Sequence, residues 1–238
     1  MTTVNEPEMV NVPSGTFEMG SKTREKWLFD NEKPQHSIEL PGYWIGKYPV
    51  TNSEYAVFVG DTDYRCPDHW LNGKIPMMYE SHPVIYVSWH DASAYCRWLS
   101  DLTGKPYRLP TEAQWEKAAR GGDGRRYPWG SRWDSRKCNT QEGGHGETSP
   151  VGAYSPKGDS PYGCADMAGN VWEWTSSLYR PYPYDTNDGR EDLGNSIRVL
   201  RGGSWYGEAS DARCASRVRL SPVNRHGGTG FRCVLRSP

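Results

Sequence analysis

Apolar positions along this chain of 238 residues come in short runs whose spacing changes repeatedly. Residues 8–20, Glu-Met-Val-Asn-Val-Pro-Ser-Gly-Thr-Phe-Glu-Met-Gly, alternate apolar and polar about Pro-Ser-Gly, which predicts a β-hairpin. A polar stretch carrying Trp27 and Phe29 follows, and residues 36–50 predict strands broken at Pro41-Gly42. Thr51-Asn52-Ser53-Glu54 has the spacing of a capping box, in which a hydroxyl and a carboxylate satisfy the free amides of a first turn. Tyr55, Phe58 and Val59 then share one face of a first helix. Residues 82–88, apolar and β-branched, predict a strand, and Ser88 caps a second helix with Ala92, Tyr95, Cys96 and Leu99 in one stripe. Thr111-Glu112-Ala113-Gln114 is a second capping box; its helix presents Trp115, Ala118 and Ala119 and stops at Gly121-Gly122. From 123 to 195 no period is strong, although Trp129, Trp133, Trp172 and Trp174 lie there, and so long an aperiodic stretch is expected to be functional or organised by a metal. Residues 197–204 and 230–235 predict two last strands, with 206–229 between them as a surface segment held at both ends. No repeat or linker divides the chain, so one domain over 1–238 is expected.

Composition changes the expected core. Leu, Ile, Val and Phe number only 34, below the roughly 20% at which disorder becomes a serious prior. Net charge is only −1, however, and the chain has 11 Trp and 15 Tyr, so burial must come largely from rings. With 26 Gly and 18 Pro, turns and irregular loops should replace a helix bundle or a regular βαβ repeat. There is no membrane-length apolar run and no basic or apolar leader, so no membrane partner is expected, and the chain should lie in the cytoplasm or on a phage or cell surface. The six cysteines are widely spaced without a Cys-x-x-Cys, which gives no support to a zinc or thioredoxin-type site.

Charge is unevenly placed. Residues 197–238 hold eight Arg, no Lys, and only Glu208 and Asp211, a local +6 against −7 for the rest. A basic end can attract phosphate. Arginine without lysine is better matched to guanidinium forks that bind carbonyls and carboxylates inside an irregular fold, so nucleic acid is not the expected partner.

Seven motifs in order then carry a resemblance over nearly the whole chain: Val12-Pro13-Ser14-Gly15-Thr16-Phe17-Glu18-Met19-Gly20-Ser21; Pro49-Val50-Thr51-Asn52; His82-Pro83-Val84 with Val87-Ser88-Trp89; Arg108-Leu109-Pro110-Thr111-Glu112-Ala113-Gln114-Trp115-Glu116; Gly169-Asn170-Val171-Trp172-Glu173-Trp174-Thr175; Arg201-Gly202-Gly203-Ser204-Trp205; and Gly230-Phe231-Arg232-Cys233. Together they resemble the formylglycine-generating enzyme (sulfatase-modifying factor) family. The resemblance implies an α+β fold, the C-type lectin variant of that family, with few helices, short antiparallel strands and much irregular loop. Its enzymes oxidise a substrate cysteine with copper held by two cysteines shortly after Gly-Gly-Ser, soft sulfur being suited to Cu(I). Here residues 202–213 contain no cysteine, and Cys214 matches a structural family cysteine, so neither copper nor catalysis is expected. The resemblance implies a Cys96–Cys233 disulfide. It also implies a calcium site from the carbonyls of Ala168, Gly169 and Val171 with the Glu173 carboxylate, and a weaker second one beginning at Asn139 and Thr140.

One branch of the family, the variable proteins of diversity-generating retroelements, ends in a Gly-Phe-Arg region and binds ligands. Its diversified codons are adenine-rich; randomising the adenines of AAC gives Tyr, Gly, Ser, Asp, Val, Leu, His, Thr or Asn, but never Glu, Lys, Gln, Met or Trp. In residues 206–229 only Glu208 belongs to the excluded set. Arg213-Cys214-Ala215, Arg217, Arg219, Pro222 and Arg225 read as frame residues among candidate variable positions. The candidate binding region is 205–229, with Trp205, Tyr206, Gly207, Ser210, Asp211, Ser216, Val218, Leu220, Ser221, Val223, His226, Gly227, Gly228 and Thr229 as its contact residues. Such a surface suits a protein or a small organic ligand, displayed by a monomer.

Overall fold

In the computed structural model, which describes residues 5–22 and 30–236, the alternating start of the chain forms β1 (Met9–Val12) and β2 (Gly15–Met19). Trp27 and Phe29 lie outside the described residues. The two strands do not pair as a hairpin. β1 runs antiparallel to β4 (Tyr43–Gly46), which pairs on its other edge with the last strand, β9 (Val234–Arg236), while β2 pairs with β3 (His36–Leu40). Alternation fixes which side chains of a strand go inward and says nothing about its partner, so the Pro13-Ser14 turn is free to pass the chain from one sheet to another.

The helices begin where their caps predict: α1 (Asn52–Thr62), α2 (Trp89–Thr103) and α3 (Glu112–Arg120). Thr51, Ser88 and Thr111 each close a reciprocal capping box, with Glu54, Asp91 and Gln114. Tyr55 and Phe58 of α1 meet Tyr95 and Trp98 of α2, Tyr55 stacking on Tyr95 at 5.8 Å between centroids. This cluster continues through Trp70, Trp89, Trp172, Trp174 and Phe231. A second cluster joins the Ala113, Trp115, Ala118 and Ala119 face of α3 to Val12, Phe17, Met19, Tyr43 and Ile45. The core is therefore built from rings, as the scarcity of aliphatic side chains demands.

Residues 82–88 do not form the expected strand: beyond a bridge from Thr51 to Pro83 they are irregular, because Pro83 lacks an N–H and Tyr86 adopts φ +57°. Conversely, two strands arise where periodicity gave none. A sheet ordered β7-β6-β5-β8 contains β5 (Trp172–Leu178), β6 (Arg198–Arg201), β7 (Arg217–Leu220) and β8 (Thr229–Gly230), the last parallel to β5. β5 shows no alternation because it is buried on both faces.

Cys96 and Cys233 are buried with their sulfurs 3.5 Å apart, in contact as thiols and short of the roughly 2.05 Å of a bond, so the implied disulfide is not formed. Cys138, Cys164 and Cys214 are buried and free, and burial pushes their thiols up to about 12, 11 and 12.

Candidate ligand-binding face

Residues 205–229 are held by backbone bonds to the scaffold. After β6 the chain turns through Gly202 (φ +105°) and Gly203 (φ +79°), and a Cβ at Gly202 would come within 3.0 Å of the Trp115 ring. Gly169 then donates to the Gly202 carbonyl at 2.7 Å, and Trp205 donates to the Asn170 carbonyl at 3.0 Å. Farther along, Trp89 donates to the carbonyl of Pro222, Tyr86 to that of His226 and Trp172 to that of Gly228, at 3.1, 3.1 and 2.8 Å. None of these bonds uses a side chain of the segment, so the anchoring is independent of what the segment displays.

The arginines supply the rest of the frame. Arg213 binds Glu32 at 2.6 and 2.7 Å, Arg217 binds Glu112 at 2.8 Å, and Arg232 binds both oxygens of Glu173 at 2.7 Å. Arg201 contacts Glu116 and also donates to the carbonyls of Ala215 and Ser216 at 2.8 Å, which ties β6 to the segment. Arg198 lies over the Trp89 ring at 4.1 Å. Arg225 grips Asp91 of α2 at 2.8 and 2.9 Å. Burial works against that carboxyl's charge, but Arg225 and the Ser88 amide hold it below its usual range. Six of the eight C-terminal arginines are thus spent on internal partners; Arg219 is exposed beside Tyr179. The local charge excess is a property of the frame.

Side chains that reach solvent form two lobes. In one, Tyr206 (39% exposed) packs edge-on against Trp205 and His226, and Trp205 donates to the Gly227 carbonyl at 3.1 Å. Ser210 and Asp211 follow in a half-buried turn, with Asp211 accepting from the Glu208 amide at 3.3 Å while burial raises its carboxyl. In the other, Ser221 joins Tyr179, Arg180, Asn195, Ile197 and Pro222 around a groove of about 450 Å³, and Val223 stands exposed nearby.

Six predicted contact residues require correction. Gly207, Ser216, Gly228 and Thr229 are buried, Thr229 as the partner of Trp172 in β8. A side chain at Gly228 would strike the Tyr206 ring. Val218 and Leu220 are half-buried and pack against the aromatic core, because β7 turns that face inward. Two residues of the face carried no signal in the sequence. Tyr86 stands against Gly227, where a Cβ would lie 2.8 Å from its hydroxyl, and His69 sits 5.5 Å from the Tyr86 ring with both ring nitrogens buried and unpartnered among the described residues. Both come from irregular segments remote in sequence, where no spacing marks them.

The calcium positions divide. Glu173, the carboxylate of the predicted first site, is fully buried and spends both oxygens on Arg232 and one also on Trp115 Nε1 at 2.8 Å. The loop of Ala168, Gly169 and Val171 therefore lacks the anionic oxygen a hard dication needs, and Glu173 is corrected to an ion-pair role. Around Asn139 and Thr140, Asn139 Oδ1, Thr140 Oγ1 and Ser149 Oγ are buried without partners, a set of neutral oxygens. The nearby acids are engaged elsewhere: Glu142 accepts from the Ala209 amide at 2.7 Å and Glu147 contacts the Tyr79 hydroxyl. Among the described residues no three His, Cys, Asp or Glu converge as metal ligands.

The sulfatase-modifying factor enzyme 1-like domain family matches residues 1–237. The chain is 35% identical over 290 aligned positions to the formylglycine-generating enzyme of Streptomyces coelicolor, covering 94% of this chain and 88% of that one. It is 32% identical over 287 positions to inactive C-alpha-formylglycine-generating enzyme 2 of Mus musculus, covering 96% and 86%. Among solved structures it superposes on variable protein 1 of Treponema denticola with a TM-score of 0.79 and 25% identity, covering 96% and 95%.

Proposed function

The chain belongs to the sulfatase-modifying factor enzyme 1-like family and has the α+β, C-type lectin-type fold of its formylglycine-generating relatives, and from that premise we propose that it is a non-catalytic binding protein whose residues 205–229 display a diversified ligand surface. The observation that carries this reading is the division of labour in that segment. Its backbone and its arginines are fixed by the scaffold, while Tyr206, Glu208, Val223, Asn224 and His226 point outward with no core role. A surface of this kind changes its chemistry without changing its fold. The occupant is a protein or a small organic molecule: one aromatic anchor, an imidazole and aliphatic area offer stacking and apolar contact, and the guanidinium charge needed for a phosphate backbone is turned inward.

Catalysis of the family's kind needs thiolates, and the features of this chain argue against them. Residues 202–213 have no cysteine, and Cys214 is fully buried with a thiol raised to about 12. The test has two arms. A sulfatase-type peptide containing cysteine, incubated with the chain and copper under air, should yield no aldehyde; formation of one would overturn the non-catalytic reading. Next to the gene, a reverse transcriptase and a second, adenine-rich copy of the codons for 206–229 are expected, and their absence would remove the diversification.

A further inference from the structure

The loop of residues 66–82, between α1 and α2, holds large apolar side chains out in solvent: Leu71 is 71% exposed, Met77 83% and Met78 77%. The backbone that carries them is nevertheless fixed. Trp70 is buried in the aromatic core and donates from Nε1 to Asn52 Oδ1 at 2.9 Å, Ile75 packs against the same core, and Asn52 Nδ2 donates to the Tyr79 carbonyl at 2.9 Å. Lys74 donates to the Leu71 carbonyl at 3.0 Å across Asn72 and Gly73, both left-handed, in a tight turn that starts at Leu71. Tyr79 donates to the Pro76 carbonyl at 3.1 Å in a second turn, with Met77 and Met78 at its tip. Met78 there has φ +73°, a region that a side chain with a Cβ avoids and that Asn or Gly would occupy at less cost. Burial does not repay that conformation within the chain, and a local conflict of this kind is a mark of a functional position.

The loop adjoins the Trp205–Tyr206–His226 lobe on two sides. On one, His69 lies 5.5 Å from the Tyr86 ring, which stands against Gly227, and the Tyr86 amide donates to the His226 carbonyl. On the other, Tyr79 contacts Glu147 and His82 Nδ1 meets Thr148 Oγ1 at 2.9 Å; Ser149 then donates to Asn170 Oδ1, and the Asn170 carbonyl accepts from Trp205. Exposed charge around these apolar side chains is mainly of one sign. Within the loop Arg65 is taken up by Asp68, which leaves Lys74 as the exposed cation. Against it stand four exposed carboxylates: Glu80 in the same loop, Glu147 beside Tyr79, Glu142 on the Ala209 amide, and Glu208. Such a rim repels a second copy of itself, an anionic membrane and nucleic acid, and attracts a partner that brings Lys and Arg. An apolar centre with a charged rim is also how protein docking surfaces are organised, and methionine adapts its shape to what it meets.

We propose that Leu71, Met77 and Met78 form a fixed docking contact beside the variable lobe, and that the partner is a protein that sets apolar side chains on them and Lys and Arg against the surrounding carboxylates. This rests on the reading of residues 205–229 as a binding surface and narrows its occupant. The probe is a set of binders selected against the full chain from a displayed library of small helical proteins with randomised surfaces, each sequenced and measured singly. Most should combine Lys or Arg with aromatic or aliphatic side chains, and should weaken about tenfold or more on the triple variant Leu71→Ser, Met77→Ser, Met78→Ser. Their affinity should also fall about tenfold between about 50 and about 500 mM NaCl. The triple variant changes only exposed side chains and should unfold near the unmodified midpoint. Met78→Asn, at ease in a left-handed backbone, should weaken the same binders while raising the thermal midpoint by about 2 °C. Binders that weaken on Tyr206→Ala with His226→Ala but not on the triple variant overturn the docking contact and leave residues 205–229 standing as a binding surface. The converse result sustains the docking contact and removes that reading of 205–229. Binders indifferent to salt overturn the choice of partner, as does a chain that sediments as a dimer which the triple variant splits.

Discussion

At single residues the governing quantity is buried charge. Arg232 and Glu173 are both fully buried, and removing either partner strands the other. Arg232→Met and Glu173→Gln should each cost about 3–5 kcal/mol in urea unfolding, and a chelator should leave the unfolding midpoint of the unmodified chain where it was. A loss on chelation comparable to that of Glu173→Gln would restore the carboxylate to a metal. His69 gives a pH dependence of definite sign. Burial disfavours its imidazolium and lowers its pKa from 6.5 to about 4, with Asp68 opposing. The unfolded chain then binds more protons across that window, so the histidine's contribution is present above pH 6.5 and is lost as pH falls toward 4. His82, lowered by the same cause, acts in the same direction. His69→Gln should therefore flatten the decline in urea midpoint between about pH 7 and about pH 5 while leaving the part owed to His82. The inward destiny of the C-terminal arginines was legible from the lack of any lysine among them, since a solvated face has no reason to prefer one cation. Glu173 was misread because a carboxylate in a tight loop serves a dication or a guanidinium equally well, and only Arg232, 59 positions away, decides.

Elements were legible to the extent that their signals are local. All three helices begin where a hydroxyl cap precedes them, because a capping box is written within four residues. Ser88→Ala should cost about 1 kcal/mol by removing the cap of α2, and more if Asp91 then loosens its hold on Arg225. Strands fared worse. β1 and β2 were legible as strands, but their pairing was not, because register partners are 30 or more residues away for β1. β7 stayed hidden because its alternation lasts only four residues and its fully buried position is Arg217, neutralised by Glu112 on the face opposite Val218 and Leu220, which no hydropathy pattern can mark. Its location has a measurable consequence for the binding segment. Val218→Ala and Leu220→Ala, which remove half-buried contacts with the core, should each cost about 1–2 kcal/mol, whereas Val223→Ser and Glu208→Ala should stay within about 0.5 kcal/mol. Equal effects at all four positions would mean that the segment has no division between frame and display.

Taken whole, the molecule is an aromatic core with its reactive groups put away. Of the six cysteines only Cys66 is half-exposed, the others being buried. A brief treatment of the native chain with a thiol-alkylating reagent should add one label, and six after denaturation. Two labels lost together after denaturation without reductant would mean that Cys96 and Cys233 have oxidised to a bond. The sheet of β1, β4 and β9 adds a different kind of consequence. Its central strand is flanked by the first and the last of the described strands, so the sheet is incomplete until residues 234–236 have left the ribosome. The proposed variable stretch lies upstream of that closing strand. Adenine randomisation of an AAC codon gives no stop, since none ends in C, but a slip of the reading frame replaces β9 along with everything after the error, leaving β4 with an open edge and Cys96 and the α2 rings without Phe231 and Cys233 above them. Such products should be cleared by proteolysis as unfinished chains. A repertoire copied with errors would then be proofread by folding itself, and only members that keep β9 would survive to meet a ligand.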